Sequence, residues 1–356
     1  MQRYPSTLGE FWRLHSARRA PIARYSTIAS ALSATLAASL LLTGCAAPMK
    51  LTPAEQLARA PHPTALSIFD GTTGARISWA DTLDRVAKAD AVFVGETHDD
   101  AVAHALEHAL VDAFIATHTR PAVSLEFLER DEQAKTDAYL RGELALDAFV
   151  DETKSRHWAG DETWIAWYQP MIDSARRAKA SVVAANAPRT YVSRARTDGY
   201  DALKSLSAEE RALFEIDESI SRDGDWERLK ALIVDMRGGG ARGATGGGSG
   251  ETSDADAVVT DDEVDTFHRA QRVWDRTMGL SASRAQNAGF KVIHCVGAFH
   301  IGQRLGTVAQ FAAACPSASI IVIDLVPSDA TVLGSDGAKG ADIVVHTQSA
   351  RDACTP

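Results

Sequence analysis

Two stretches far apart in the chain share one pattern: an apolar run, a Gly, two residues, then a His. They are Phe93-Val94-Gly95-Glu96-Thr97-His98 and Cys295-Val296-Gly297-Ala298-Phe299-His300. Imidazoles and carboxylates at one place can move protons or hold a divalent metal against a carbonyl or phosphoryl group. A Gly just before the turn permits a sharp exit and a close backbone approach. Alone, each His reads as a cap or a core-edge group. Two copies at strand ends point to a shared cleft. A third apolar run closes on Val123-Ser124-Leu125-Glu126, and Asn186-Ala187-Pro188-Arg189 follows a fourth. The candidate set is Glu96, His98, Glu126, Arg189 and His300, with His98 and His300 as candidate metal ligands. Glu126 or Glu96 would serve as base, and Arg189 would hold an anionic or oxyanionic group.

Two further motifs compete. His104-Ala-Leu-Glu107-His108 has the His-x-x-Glu-His form of some zinc peptidases. At 100° per residue, however, His104 and His108 point away from the Leu106/Leu110/Ala113 face, so they are expected to be solvated. Trp164, Trp167, Tyr168, Met171, Ile172 and Ala175 form a helical stripe. Its spacing fits an aromatic core. It also fits an aromatic wall for a flat ligand, with Tyr168 as an oxygen ligand to iron.

The elements that position these residues follow from periodicity. Continuous apolar runs at Ala91–Val94, Ala122–Phe127, Ser181–Ala185, Val292–Val296, Ile320–Leu325 and Ile343–Val345 read as strands buried on both faces. Helical patterns separate them, which predicts an α/β fold with a largely parallel sheet flanked by helices. Both Gly-x-x-His exits then lie at the carboxyl edge, where open α/β sheets bind ligands. Ser67–Gly71 with Arg76–Ser78 predicts a hairpin. Helices are predicted over Asp99–Ala116, over Glu162–Lys179 with Pro170 kinking or restarting it, and over Asp262 to about Gln286. A smaller helical subdomain is expected at about 190–290 within an α/β domain at 64–350. The Gly-rich stretch 237–260 reads as a flexible insertion.

The first 44 residues have the layout of an export signal, with five Arg and one acidic residue, Glu10, before an uncharged apolar run. The run ends in Leu42-Thr43-Gly44-Cys45, similar to the lipobox of bacterial lipoproteins. Cleavage before Cys45 and a lipid on its thiol are expected. Residues 45–63 would be a spacer and the membrane a partner through that lipid. Ala46 after the cysteine favours outer-membrane sorting by the same resemblance. The mature chain carries 32 basic and 46 acidic residues, a formal charge of −14, which argues against nucleic acid. Cys295 reads as a buried thiol, whereas Cys315 and Cys354 are candidates for pairing.

In order and spacing, Ala91–Asp99, Ser124–Phe127, Trp164–Pro170, Ala184–Arg189, Ala270–Met278 and Val296–His300 resemble the ChaN-like haem-binding lipoproteins of the Tiki/TraB superfamily. The resemblance spans roughly Leu66 to Phe311. It implies a parallel α/β domain with a smaller helical one, haem at a dimer interface held by a Tyr, and a role in haem or iron uptake. Tyr168 is the first choice for that Tyr, with Tyr139 and Tyr191 also in reach. The wider superfamily includes proteins proposed as metal-dependent hydrolases, and their motifs match His98, His300, Glu96 and Glu126.

Overall fold

The computed structural model describes residues 51–217, 221–242, 259–334 and 340–348. The export signal, Cys45, most of the Gly-rich insertion and Cys354 lie outside them. The main elements run α1 (Pro53–Ala58), β1 (Ser67–Asp70), α2 (Trp79–Val86), β2 (Ala91–Glu96), α3 (Ala101–Thr117), β3 (Pro121–Glu129), α4 (Gln133–Leu140), α5 (Gln169–Ala178), β4 (Ser181–Asn186), α6 (Arg189–Asp198), α7 (Gly224–Arg242), α8 (Asp261–Asn287), β5 (Lys291–Gly297), α9 (Gly306–Ala314), β6 (Ile320–Val326) and β7 (Ile343–His346). The sheet order is β1-β7-β6-β2-β5-β3-β4, and every pairing is parallel except β1 with β7. The expected α/β architecture is thus the observed one.

Alternation along the strands divides the side chains between two cores, because successive residues point to opposite faces. Val92, Val94, Val123, Leu125, Ile293 and Cys295 pack under α3 and α5. Ala91, Phe93, Ala122, Val292 and Val296 pack under α8 and α9 with Met278, Ala282, Val308 and Phe311. Both faces are covered, which is why these strands read as unbroken apolar runs.

Local signals set the helix ends. Asp100 caps α3 by accepting from the Val102 and Ala103 amides at 2.9 and 3.2 Å. Thr260 caps α8, whose first turn carries Asp261, Asp262 and Glu263 against the positive end of the helix dipole. Pro170 sits in the first turn of α5, where its missing amide costs nothing, and a π-helical turn at Trp164–Tyr168 precedes it. Pro170 therefore restarts the helix.

The expected hairpin is present in short form: the Asp70 amide donates to the Ala75 carbonyl and the Ile77 amide to the Ile68 carbonyl around a turn at Gly74, while the other edge of β1 pairs with β7. One expectation changes. The helical subdomain stops short of 290, because α8 lies on the sheet and supplies Met278 and Ala282 to its core. The helices α6 and α7 pack on α8 instead. Their small cores borrow Ala270, Val273 and Val264 from α8.

The α8–α9 contact depends on Gly279. A Cβ there would lie 2.6 Å from Gln310 Cβ and 2.7 Å from the Thr307 carbonyl oxygen. Gly279→Ala is expected to cost about 1–3 kcal/mol through overpacking. Urea unfolding checks this, and an unchanged midpoint would show that the two helices can part.

Candidate functional site: a histidine–carboxylate cleft at the sheet edge

β5 lies between β2 and β3, so the three strand ends that carry His300, Glu96/His98 and Glu126 are neighbours. Glu96 ends β2 and is buried; its Oε1 is 2.5 Å from His98 Nδ1. Glu126 is buried on β3, accepts the Gly297 amide at Oε2 (2.7 Å) and holds Oε1 3.5 Å from His300 Nε2. His300 Nδ1 lies 2.7 Å from Asp275 Oδ1 and 2.9 Å from Gln271 Nε2. Thr307 donates its hydroxyl to the same Asp275 oxygen at 3.0 Å. Each imidazole thus has its own carboxylate, and Glu126 faces both.

Gly297 makes the meeting sterically feasible. A Cβ at this position would stand 2.9 Å from His98 Cε1 and 3.5 Å from Glu126 Oε2. Gly95 does the same on the other side, where a Cβ would meet Ile301 Cδ1 at 2.3 Å. Both glycines of the repeated motif therefore clear space for the opposite histidine loop. Gly297→Ala is expected to push His98 off Glu96, visible as a changed His98 imidazole resonance. An unshifted resonance would refute the steric role.

Burial disfavours the His300 imidazolium, yet Asp275 and Glu126 prevail and hold its pKa up at about 10. Burial also works against His98, but Glu96 and then Glu126 raise it to about 9. With 38% of its side chain open, His98 is screened more by solvent. Burial pushes Glu126 up, whereas the charges of His300 and His98 and the Gly297 amide pull it well below the usual carboxylate range. The signs set the pH response. His300 contributes stability fully below its ordinary 6.5, and that contribution fades as pH rises through about 10. Glu126 contributes above its ordinary 4.5, and that contribution fades as pH falls through its lowered pKa. Melting temperature is expected to decline from pH 6.5 to 10, and Asp275→Asn should flatten that limb. An equally steep alkaline limb in the variant would contradict the assignment.

The structure gathers Glu96, His98, Glu126 and His300 and places Arg189 at the border. The Arg189 guanidinium lies 4.7 Å over the Trp158 ring, and that ring meets His98 edge-on at 5.7 Å. Arg189 Nε is also 3.9 Å from Glu129. Asp275, Gln271 and Trp158 belong to the cleft although sequence reasoning passed over them. Gln271 and Asp275 interrupt the apolar stripe of α8 at i, i+4, which is the signal that could have found them.

His104 is not solvated. It is 0% exposed, lies 2.8 Å from Glu107 and 3.9 Å from Glu96, and stacks on Trp167. His108 is half-buried, with Nε2 2.6 Å from the Trp167 carbonyl. The reason is that α1 and the Trp164–Tyr168 turn cover the side of α3 that faces away from the sheet. Tyr168 lies inside rather than on a wall. It is 1% exposed, against Trp164, Phe127 and His104. Burial, then Glu96 and Glu107, push its phenol well above its ordinary pKa. Tyr139 is buried with its hydroxyl donating to Asp173, and Tyr200 is buried with its hydroxyl donating to the Arg269 carbonyl. Of the four described tyrosines Tyr191, on α6, is the one that is only partly buried; its ring is 4.9 Å from Phe214. Among the described residues no group of three His, Cys, Asp or Glu side chains is arranged to hold a metal ion.

A largely parallel α/β sheet with two histidine–carboxylate pairs at its carboxyl edge is an arrangement that can bind a ligand or move protons. Residues 82–311 match the family described as haem-binding uptake, Tiki superfamily, ChaN, and the chain belongs to that family. ChaN of Campylobacter jejuni, solved in a study of cofacial haem binding, is a similar structure. It has a TM-score of 0.56 and 16% identity, covering 80% of this chain and 97% of that one. A Bacillus cereus protein is more distant, with a TM-score of 0.39 and 11% identity over 77% of this chain and 74% of that one. An erythromycin esterase mutant in its open conformation has a TM-score of 0.38 and 13% identity over 79% of this chain and 82% of that one. No curated protein sequence matches the chain.

Proposed function

We propose that this protein is a lipid-anchored haem-binding protein of the cell envelope that serves haem or iron uptake. Family membership supports haem as the ligand, and the Campylobacter jejuni relative is described as binding haem cofacially. A cofacial arrangement would suit a homodimer of this chain around the ligand. The observation that carries the reading is Tyr191. A tyrosine oxygen can ligate haem iron, and Tyr191 is the described tyrosine with access to solvent. Its ring packs on the buried Phe214, and Leu206 and Ile216 of the same cluster are, like Tyr191, only partly buried. Tyr168 fits the role poorly, since its phenolate would form among three carboxylates. Haemin added to the protein should give a saturable Soret shift at micromolar concentration, and no shift would overturn the proposal.

Leu42-Thr43-Gly44-Cys45 supports the tether. Cys45→Ser is expected to move most of the protein from the membrane fraction, on the outer-membrane side of a density gradient, into the soluble fraction. Equal membrane partition of variant and wild type would remove the lipid from the reading.

The paired dyads favour a second activity at the cleft. His98, His300, Glu96 and Glu126 would act in hydrolysis, with Arg189 at the rim to hold an anionic group. They would act directly, or through a divalent metal on the two imidazoles. Nδ1 of each imidazole is committed to a carboxylate, which leaves the Nε2 atoms as the reactive ones on either route. A screen of esters and peptides, with elemental analysis, tests it. Full activity in the His98→Ala/His300→Ala double variant would dismiss it.

A further inference from the structure

The residue before His300 and the turn after it are both held by one helix, α7. Arg228, in the second turn of α7, donates Nη1 to the Phe299 carbonyl and lays its guanidinium 4.2 Å over the Phe299 ring. Asp225, buried one turn earlier, accepts the Gly306 amide at 3.1 and 3.0 Å on its two oxygens. The two side chains are joined at 2.9 Å, and Arg272 of α8 approaches Asp225 at 3.5 Å. The turn they span is strained. Gln303, Arg304 and Gly306 have φ of 58, 57 and 51°, and the first two are left-handed without being glycine. Such residues each cost on the order of 1 kcal/mol or more and persist only where the surroundings over-determine them. Arg304 is tied to Asp342 at 2.6 Å, which fixes the turn from the sheet side. Asp225 and Arg228 fix it from the helix side.

We propose that Asp225 and Arg228 are positioning residues that set His300 against Glu126 by clamping both ends of its loop. The inference rests on the reading of the cleft as a working site, but its test does not need turnover. The full-length protein is labelled with diethyl pyrocarbonate, and His300 and His98 are followed by peptide mass spectrometry, alongside amide exchange of residues 298–306. Arg228→Ala should raise the His300 labelling rate roughly tenfold and cut protection of the loop by a similar factor, as expected for a locally opened segment. His98 labelling and the melting temperature should change little. Arg228→Lys, which can still reach the Phe299 carbonyl, should restore much of the protection. Asp225→Asn keeps the shape and weakens the hold on Gly306, so it provides the reading if Arg228→Ala unfolds. Unchanged His300 labelling and loop exchange in both variants would overturn the proposal, as would equal acceleration at His98. A protein without hydrolytic activity that still shows the predicted labelling would retain the clamp and lose only the reading of the cleft.

Discussion

Glu126→Gln is expected to lower stability by about 3 kcal/mol, near the cost of breaking a buried ion pair from one side. The carboxylate faces His300 at 3.5 Å and the Gly297 amide at 2.7 Å. Glutamine preserves volume and can keep the Gly297 hydrogen bond through its oxygen. Its amide nitrogen would then face His300 Nε2, which in the imidazolium form is also a donor. Two donors would meet without water, and the second imidazolium at His98 would lose its shared counter-charge. The raised pKa of His300 should fall accordingly, since Glu126 is one of its two main supports after burial is overcome. Urea unfolding gives the first quantity and imidazole NMR titration the second. A midpoint equal to wild type, with His300 still titrating near 10, would mean that Asp275 alone sustains the charge.

Tyr191→Phe is expected to weaken haemin binding by roughly 100-fold, about 2.7 kcal/mol, with loss of the charge-transfer features of a phenolate-ligated ferric haem. Phenylalanine keeps the packing against Phe214, so folding should be unaffected and the loss is specific to the oxygen. Tyr168→Phe is the matched control. Its ring contacts with Trp164, Phe127 and His104 survive the substitution, and it should leave the Soret titration unchanged. The reverse outcome, retained binding in Tyr191→Phe and loss in Tyr168→Phe, would return the ligand to Tyr168. It would also require the aromatic cluster to open on binding.

The strands and the cleft were legible because both are written in short patterns. Unbroken apolar runs mark strands covered on two faces, and a Gly followed by a His two residues later marks a strand exit with room beside it. Gly95 and Gly297 show why the pattern works, since each clears space for the opposite loop. The fate of His104 was not legible. A helical wheel sees one partner surface, whereas α3 is packed by the sheet on one side and by α1 and the Trp164–Tyr168 turn on the other. Tyr168 shows the same limit, because an aromatic stripe has the same spacing on a wall as in a core. Asp275 was hidden differently. It lies in α8, 25 positions before His300, and its place in the helix does not say which imidazole its carboxylate will meet.

The place of β5 in the sheet also governs when the site can exist. Both neighbours of β2 come from the end of the domain, with Ala91 opposite Val292 on one side and Ile320 on the other. Glu96 and Glu126 are therefore synthesised long before the strand that must slot between them. Contacts of such sequence separation form late, because the loop must close before pairing rewards it. A chain that has emerged only as far as α7 holds Glu96, His98 and Glu126 but lacks β5 and the His300 loop. The cleft is completed only once β5 and the His300 loop have been made and have paired between β2 and β3.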